Sequence, residues 1–246
     1  EGALDPGLEG PGLGAARGAH LVVGVEDDLA ELGDRGLVVL AATVACRTMP
    51  ESGLYSTEQY SDAQLRSFPG LVYGTATNVS GQTQQLALDL YLPPVGAPRP
   101  YPLVIAVHGG GFTGGTRGGM ATVARSYARR GFAAATISYR LRPGLSSTDQ
   151  LGLLAVATDG IDDGMESVRW LRSRATTYGL DATRIAMVGT SAGGVVAMGV
   201  AVADDPTPGG PLASVSPRIH AAVSTGSNLT PGIQLGLVTL DANDAP

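Results

Sequence analysis

An open α/β sheet, mostly parallel and flanked by helices, is the fold that this sequence predicts, on three observations. Continuous apolar runs at 102–107 and 132–138, and a third over 184–188, have strand length. They lack polar alternation, as strands buried on both faces of a parallel sheet do. Helical stretches at 118–130, 149–178 and 195–203 separate or follow these runs, and strand–helix alternation closes a parallel sheet through right-handed crossovers. The third run passes directly into Gly189-Thr190-Ser191-Ala192-Gly193 and then into an Ala/Val-rich helical stretch. That is the strand–turn–helix order a serine elbow requires.

The composition supports one domain of ordinary size. The chain has 246 residues, 36 of them Gly and 16 Pro, and its hydrophobic fraction of 43% is enough for a large core. A net charge of −6 gives no electrostatic reason to expect nucleic acid. All 16 basic residues are arginine, which reads as codon bias and not as function. A single cysteine, Cys46, excludes an internal disulfide, and three histidines with one cysteine give no metal-ligand cluster. No metal or cofactor is expected.

In chain order, residues 1–46 read as a disordered leader. Six glycines fall in the first twenty positions without a helix or strand period. The apolar stretch 36–45 followed by Cys46 has the length of a signal-peptide core, too short for a membrane span. Thr43-Val44-Ala45-Cys46 is similar to a bacterial lipobox, with Thr where Leu is usual. Secretion or cell-envelope localisation is expected, with Cys46 as a candidate for lipid attachment to the membrane; a buried strand with a buried cysteine is the alternative. Residues 47–69 are polar and irregular, a linker or an arm on the domain. From Leu71 two strands follow, Val72–Thr75 and Leu86–Leu92, joined by a turn at 78–81. Gly131 ends the helix over 118–130, and Gly179 stops the helical zone 149–178, whose apolar face carries Ile161, Met165, Val168, Leu171, Ala175 and Tyr178. A Pro/Gly/Ser-rich loop at 204–217 leads to a last strand, Ile219–Ser224.

Two motifs carry chemistry. Glycines at 189 and 193 remove side chains that would clash in a sharp turn, leaving the Ser191 hydroxyl above the sheet edge. The helix that starts there aims its positive end at charge developing beside the serine. His108-Gly109-Gly110-Gly111-Phe112 follows the buried strand ending at Val107. Glycines there let backbone N–H groups approach the oxyanion of a tetrahedral acyl-transfer intermediate. Either motif alone also fits a Gly-rich surface turn. A phosphate-binding loop would end in Lys-Ser/Thr, and this one does not.

With both motifs present, the sequence resembles the α/β-hydrolase superfamily, and within it bacterial carboxylesterases and lipases of the hormone-sensitive-lipase-like and feruloyl-esterase-like types. His108–Phe112, Ser138-Tyr139-Arg140-Leu141, Trp170-Leu171-Arg172 and Gly179–Arg184 leading into Gly189–Gly194 carry the resemblance. It covers about residues 70–246, read as a partial catalytic domain. The resemblance implies a small-molecule ester substrate, Ser191 as nucleophile, and an oxyanion hole from the N–H groups of Gly110, Gly111 and Ala192. His108, with Gly109, Gly189 and Gly193, would support the motifs structurally, and Tyr139 and Arg140 would pack below the site.

A base is missing from this picture. In the superfamily the acid and histidine follow the serine in the chain. Only His220 does so, 29 residues on, with Asp204 and Asp205 between. The family's acid and histidine follow two later strands, so His220 reads as structural, His20 belongs to the leader, and Asp241 and Asp244 precede the expected acid. The chain, which begins with Glu, is therefore expected to be a fragment of low activity. Its C-terminal strands would be missing and its last strand would have an open apolar edge prone to aggregation. Two rivals remain: a serine peptidase of the prolyl-oligopeptidase type, which usually lacks the H-G-G-G loop, and a non-catalytic binding protein on the same fold.

Overall fold

The computed structural model describes residues 21–24, 53–78, 81–204 and 211–227. Segment 36–46 with Cys46, and His20, Asp205, Asp241 and Asp244, lie outside the described residues. A seven-stranded sheet runs in the order β1-β7-β6-β4-β5-β3-β2. Strands β4 (Tyr101–Val107), β5 (Ala133–Ile137), β6 (Leu180–Thr190) and β7 (Ala221–Thr225) are mutually parallel. Strand β3 (Thr83–Leu92) runs antiparallel to β5 and forms a hairpin with β2 (Arg66–Thr77).

Alternation along β4 shows how the two faces are filled. Leu103, Ile105 and Val107 enter the main core, whereas Val104 and Ala106 point to the opposite face with Tyr127 and Phe132. Every residue of β4 and β5 is buried, as expected for strands covered by helices on both sides. Helix α1 (Ala121–Arg129) covers one face, with Ala124 and Ala128 against Tyr91 and Ala134. Helices α2 (Gln150–Ser173) and α4 (Ala192–Val202) cover the other and pack together. The Asp149 carboxylate caps α2 by accepting from Gly152 N–H at 2.9 Å.

The structure departs from the sequence reading in three places. The helical zone 149–178 is two helices: α2 stops at Ser173, and a single turn, α3 (Ala175–Tyr178), ends at the left-handed Gly179 (φ 72°). Strand β2 begins at Arg66, inside the stretch read as linker, and residues before it pack on α1. There Tyr55 N–H donates to the Arg130 carbonyl at 2.7 Å, and Arg129 pairs with Glu58 at 2.9 Å and Asp62 at 2.6 Å. Finally, Leu21–Gly24, read as leader, forms β1 antiparallel to β7, with Val22 opposite Val223. The β7 edge expected to be open is therefore paired at these positions.

Candidate active site

All four parallel strands end on one side of the sheet, and their register sets what meets there. Val107 lies opposite Ile137 on one flank and Gly189 on the other, while Gly189 and Thr190 face Ser224 and Thr225. Open α/β sheets bind ligands outside the carboxyl ends of their strands, and both sequence motifs emerge at this edge.

Ser191 sits between β6 and α4 as the N-cap of α4, exposed, with φ 52° and ψ −124°. A non-glycine residue in that region is strained by about 1–3 kcal/mol and persists only where its surroundings over-determine it. Here the determinants are visible. The Ser191 N–H donates to the Thr225 carbonyl at 2.8 Å, and the Ser191 carbonyl accepts from Gly194 N–H at 2.8 Å and Val195 N–H at 3.1 Å. A β-carbon at Gly189 would collide with the Gly193 carbonyl, and one at Gly193 with the carbonyls of Val107 and His108. Both glycines are therefore required by backbone contact. The hydroxyls of Thr190 and Thr225 lie 2.9 Å apart beside the turn.

The glycine loop lies against this elbow. Gly110 (φ 125°), Gly111 (φ 60°) and Phe112 (φ 61°) are successive left-handed residues, and the Gly110 carbonyl accepts from Thr113 N–H at 3.0 Å and Gly114 N–H at 3.1 Å. The Gly110 and Gly111 N–H groups are not used in this turn. Ala192 is the first residue of α4, so its N–H has no intrahelical acceptor. His108 is turned into the fold: 4% exposed, its ring stacked on Tyr139 at 4.5 Å and its Nδ1–H donating to the Gly109 carbonyl at 2.8 Å. Burial holds its imidazole below the ordinary value of 6.5. The ring is neutral near pH 7 and braces the loop.

His220 stands at the far end of the sheet. It is exposed, pairs with Ile185 through its backbone and through Nδ1 at 3.3 Å, and precedes β7. Ile185 is six residues before Ser191 along the chain, about 20 Å at the rise of a strand. Asp204 lies beyond the other end of α4 and is exposed. The structure brings Ser191, Gly109, Gly110, Gly111, Ala192 and His108 to one place and excludes a triad of Ser191, Asp204 and His220. Among the described residues no cluster of three or more His, Cys, Asp or Glu could hold a metal ion.

Sequence reading missed Thr225, whose carbonyl fixes the elbow, and Gly115 (φ 101°), where a β-carbon would collide with the His108 ring and the Gly109 carbonyl. Gly114-Gly115, just past the first glycine run, was the available signal for the second. A separate cavity of about 830 Å³ between β2 and α2 is lined by Tyr73, Arg140, Asp163, Glu166, Arg169 and Trp170, and by no elbow or glycine-loop residue. Charges there face each other, Arg140 with Asp163 at 2.8 Å and Arg169 with Glu166 at 3.6 Å.

The chain is similar to solved esterase structures. A thermophilic esterase from the Planctomycetes species Thermogutta terrifontis, with butyrate bound, is 25% identical at a TM-score of 0.51, over 62% of this chain and 51% of that one. Thermogutta terrifontis esterase 2 phosphorylated by paraoxon is 24% identical at a TM-score of 0.50, over 65% and 55%. The chain thus spans about half the length of these esterases, and the likeness establishes the α/β-hydrolase fold. No curated protein matches the chain. The BD-FAE family model matches residues 88–211, from within β3 through the glycine loop and elbow to beyond α4. With half of its residues in that match, the chain belongs to the BD-FAE family of esterase-like α/β-hydrolases.

Proposed function

We propose that this chain carries the nucleophile and oxyanion hole of a serine carboxylesterase. Ser191 attacks the ester carbonyl, and its proton passes to a base supplied from outside the described residues. The tetrahedral oxyanion is held by the N–H groups of Gly110, Gly111 and Ala192, with the positive end of α4 behind it. Collapse of the intermediate expels the alcohol and leaves an acyl group on Ser191 Oγ; water then releases the acid and restores the serine. The observation that carries this reading is the backbone of Ser191, φ 52° and ψ −124°, held beside a loop of left-handed glycines. A binding protein has no use for strain at that position, and the H-G-G-G loop favours esters over the peptidase alternative.

The test is covalent trapping of the full-length protein with a fluorophosphonate. Stoichiometric labelling, abolished by Ser191→Ala, is the expected result. Absence of labelling, or labelling that survives the substitution, overturns the proposal.

A further inference from the structure

We propose that Tyr139 is a positioning residue for the oxyanion hole, setting the His108–Gly109 peptide through its hydroxyl and being set in turn by Asp163 through Arg140. The inference rests on the esterase reading above. Tyr139 follows β5, 31 residues beyond His108, and is 3% exposed. Its hydroxyl donates to the His108 carbonyl at 2.9 Å. That carbonyl belongs to the first peptide past the end of β4, where the sheet no longer dictates the chain's direction and three glycines allow almost any. It also lies against Gly193 of the elbow, where a β-carbon would strike it. The hydroxyl thus acts at the junction between glycine loop and elbow.

The segment carrying Tyr139 is anchored on both sides. Arg142 N–H donates to the Phe112 carbonyl at 2.8 Å, fixing the other end of the glycine run. Arg140 N–H donates to Asp163 Oδ2 at 2.7 Å, and its guanidinium contacts Asp163 Oδ1 at 2.8 Å and Asp159 Oδ1 at 2.7 Å. Asp163, 2% exposed, spends one carboxylate on both backbone and side chain of the residue after Tyr139. Gly160, one turn earlier on α2, makes room for this packing, since a β-carbon there would stand 3.3 Å from Tyr139 and 3.6 Å from Phe112.

Tyr139→Phe in the full-length protein removes the hydroxyl and keeps the ring. With p-nitrophenyl acetate, kcat is expected to fall about tenfold with KM within about twofold, less than the roughly 100- to 1,000-fold loss of an oxyanion donor itself. Fluorophosphonate labelling should slow by a similar factor yet still reach the wild-type stoichiometry. Asp163→Asn should show the same pattern, about threefold, and serves where Tyr139→Phe does not fold. Unchanged kcat, a change in KM alone, or reduced labelling stoichiometry at an unchanged rate per labelled site overturns the inference, the last marking a purely structural role. A wild-type protein that neither hydrolyses nor labels overturns the esterase reading and this inference with it; an active wild type with an indifferent Tyr139→Phe overturns this inference alone.

Discussion

Gly109 and Ser191 meet across the junction of the two motifs: a β-carbon on Gly109 would stand 3.3 Å from Ser191 Cβ and 2.7 Å from the Thr190 carbonyl oxygen. The second distance is too short for any real side chain, and its partner is backbone, so the glycine loop and the elbow would have to separate. Gly109→Ala should cost about 1–3 kcal/mol of stability by overpacking. It should also cost on the order of 100-fold in kcat, because misplacing a catalytic group by a fraction of its contact distance is that expensive. Urea unfolding and ester hydrolysis check the two parts. A wild-type kcat in the alanine variant would place the oxyanion hole elsewhere.

Ser191 itself should limit stability. Its φ of 52° with ψ −124° lies outside the regions a serine favours, at a cost of about 1–3 kcal/mol. Ser191→Gly relieves that strain while returning about 0.4–1 kcal/mol through the greater freedom of the unfolded chain. The expected result is an inactive protein stabilised by about 1 kcal/mol, seen as a higher urea midpoint at unchanged m-value. Ser191→Ala, which keeps the strain, should unfold near the wild-type midpoint. A glycine variant weaker than the alanine variant contradicts the account.

Much of this architecture was legible because its strands are buried on both faces. The apolar run 102–107 matches β4 (Tyr101–Val107) nearly residue for residue, and 132–138 brackets β5. The elbow was legible from its own spacing, since Gly189 meets the Gly193 carbonyl four residues on, whereas Gly193 answers to the carbonyls of Val107 and His108 at the end of β4. The start of β2 was hidden, because Pro69 and Gly70 interrupt it where its register with β3 shifts between Phe68 and Leu71. Leu21–Gly24 offers four residues, too few for a period to show. Tyr139 could be matched to a segment near the site, but its hydrogen bond joins residues that follow two different strands, β4 and β5, and no spacing in one chain encodes it. The roles of Thr225 and Gly115 depend likewise on contacts made only once the sheet has assembled.

Acid should weaken the protein through His108. Burial lowers its folded-state pKa below the ordinary 6.5, so the unfolded chain takes up this proton first. Stability from His108 is complete above about pH 6.5 and is lost as pH falls through that value toward the folded one. Asp163 works with the opposite sign, because burial raises its carboxyl above the ordinary 3.8 against the pull of Arg140. Its contribution is full below the unfolded value and declines as pH rises through the folded one. The difference between wild type and His108→Asn isolates the histidine. Unfolding free energies between pH 8 and pH 5 should fall in the wild type relative to the variant; parallel curves refute the assignment.

Substitution of His220 tests the geometry in the opposite direction. It is exposed and bonded to Ile185 at the far end of β6, so His220→Ala should leave kcat and KM within about twofold and cost roughly 1 kcal/mol, as the loss of one hydrogen bond does. Loss of activity at constant stability would make it the base and would require a rearranged sheet.

The last expectation concerns how α2 holds the elbow helix. A β-carbon on Gly164 would stand 2.8 Å from Val200 Cγ2 and 3.0 Å from Val196 Cγ1 of α4. Alanine in place of an interior helical glycine gains about 1 kcal/mol in helix propensity. The opposing valines are β-branched with few rotamers to yield, and overpacking costs about 1–3 kcal/mol. The clash therefore wins, and Gly164→Ala should destabilise by about 1 kcal/mol. Trimming the contact with Val200→Ala should recover part of that loss, giving a coupling of at least about 0.5 kcal/mol in a double-mutant cycle. Since Ser191 caps α4, Gly164→Ala should also lower kcat more than KM, and the double variant should regain some of it. Additive stabilities, with kcat unaffected, would mean that α4 is positioned by the sheet alone.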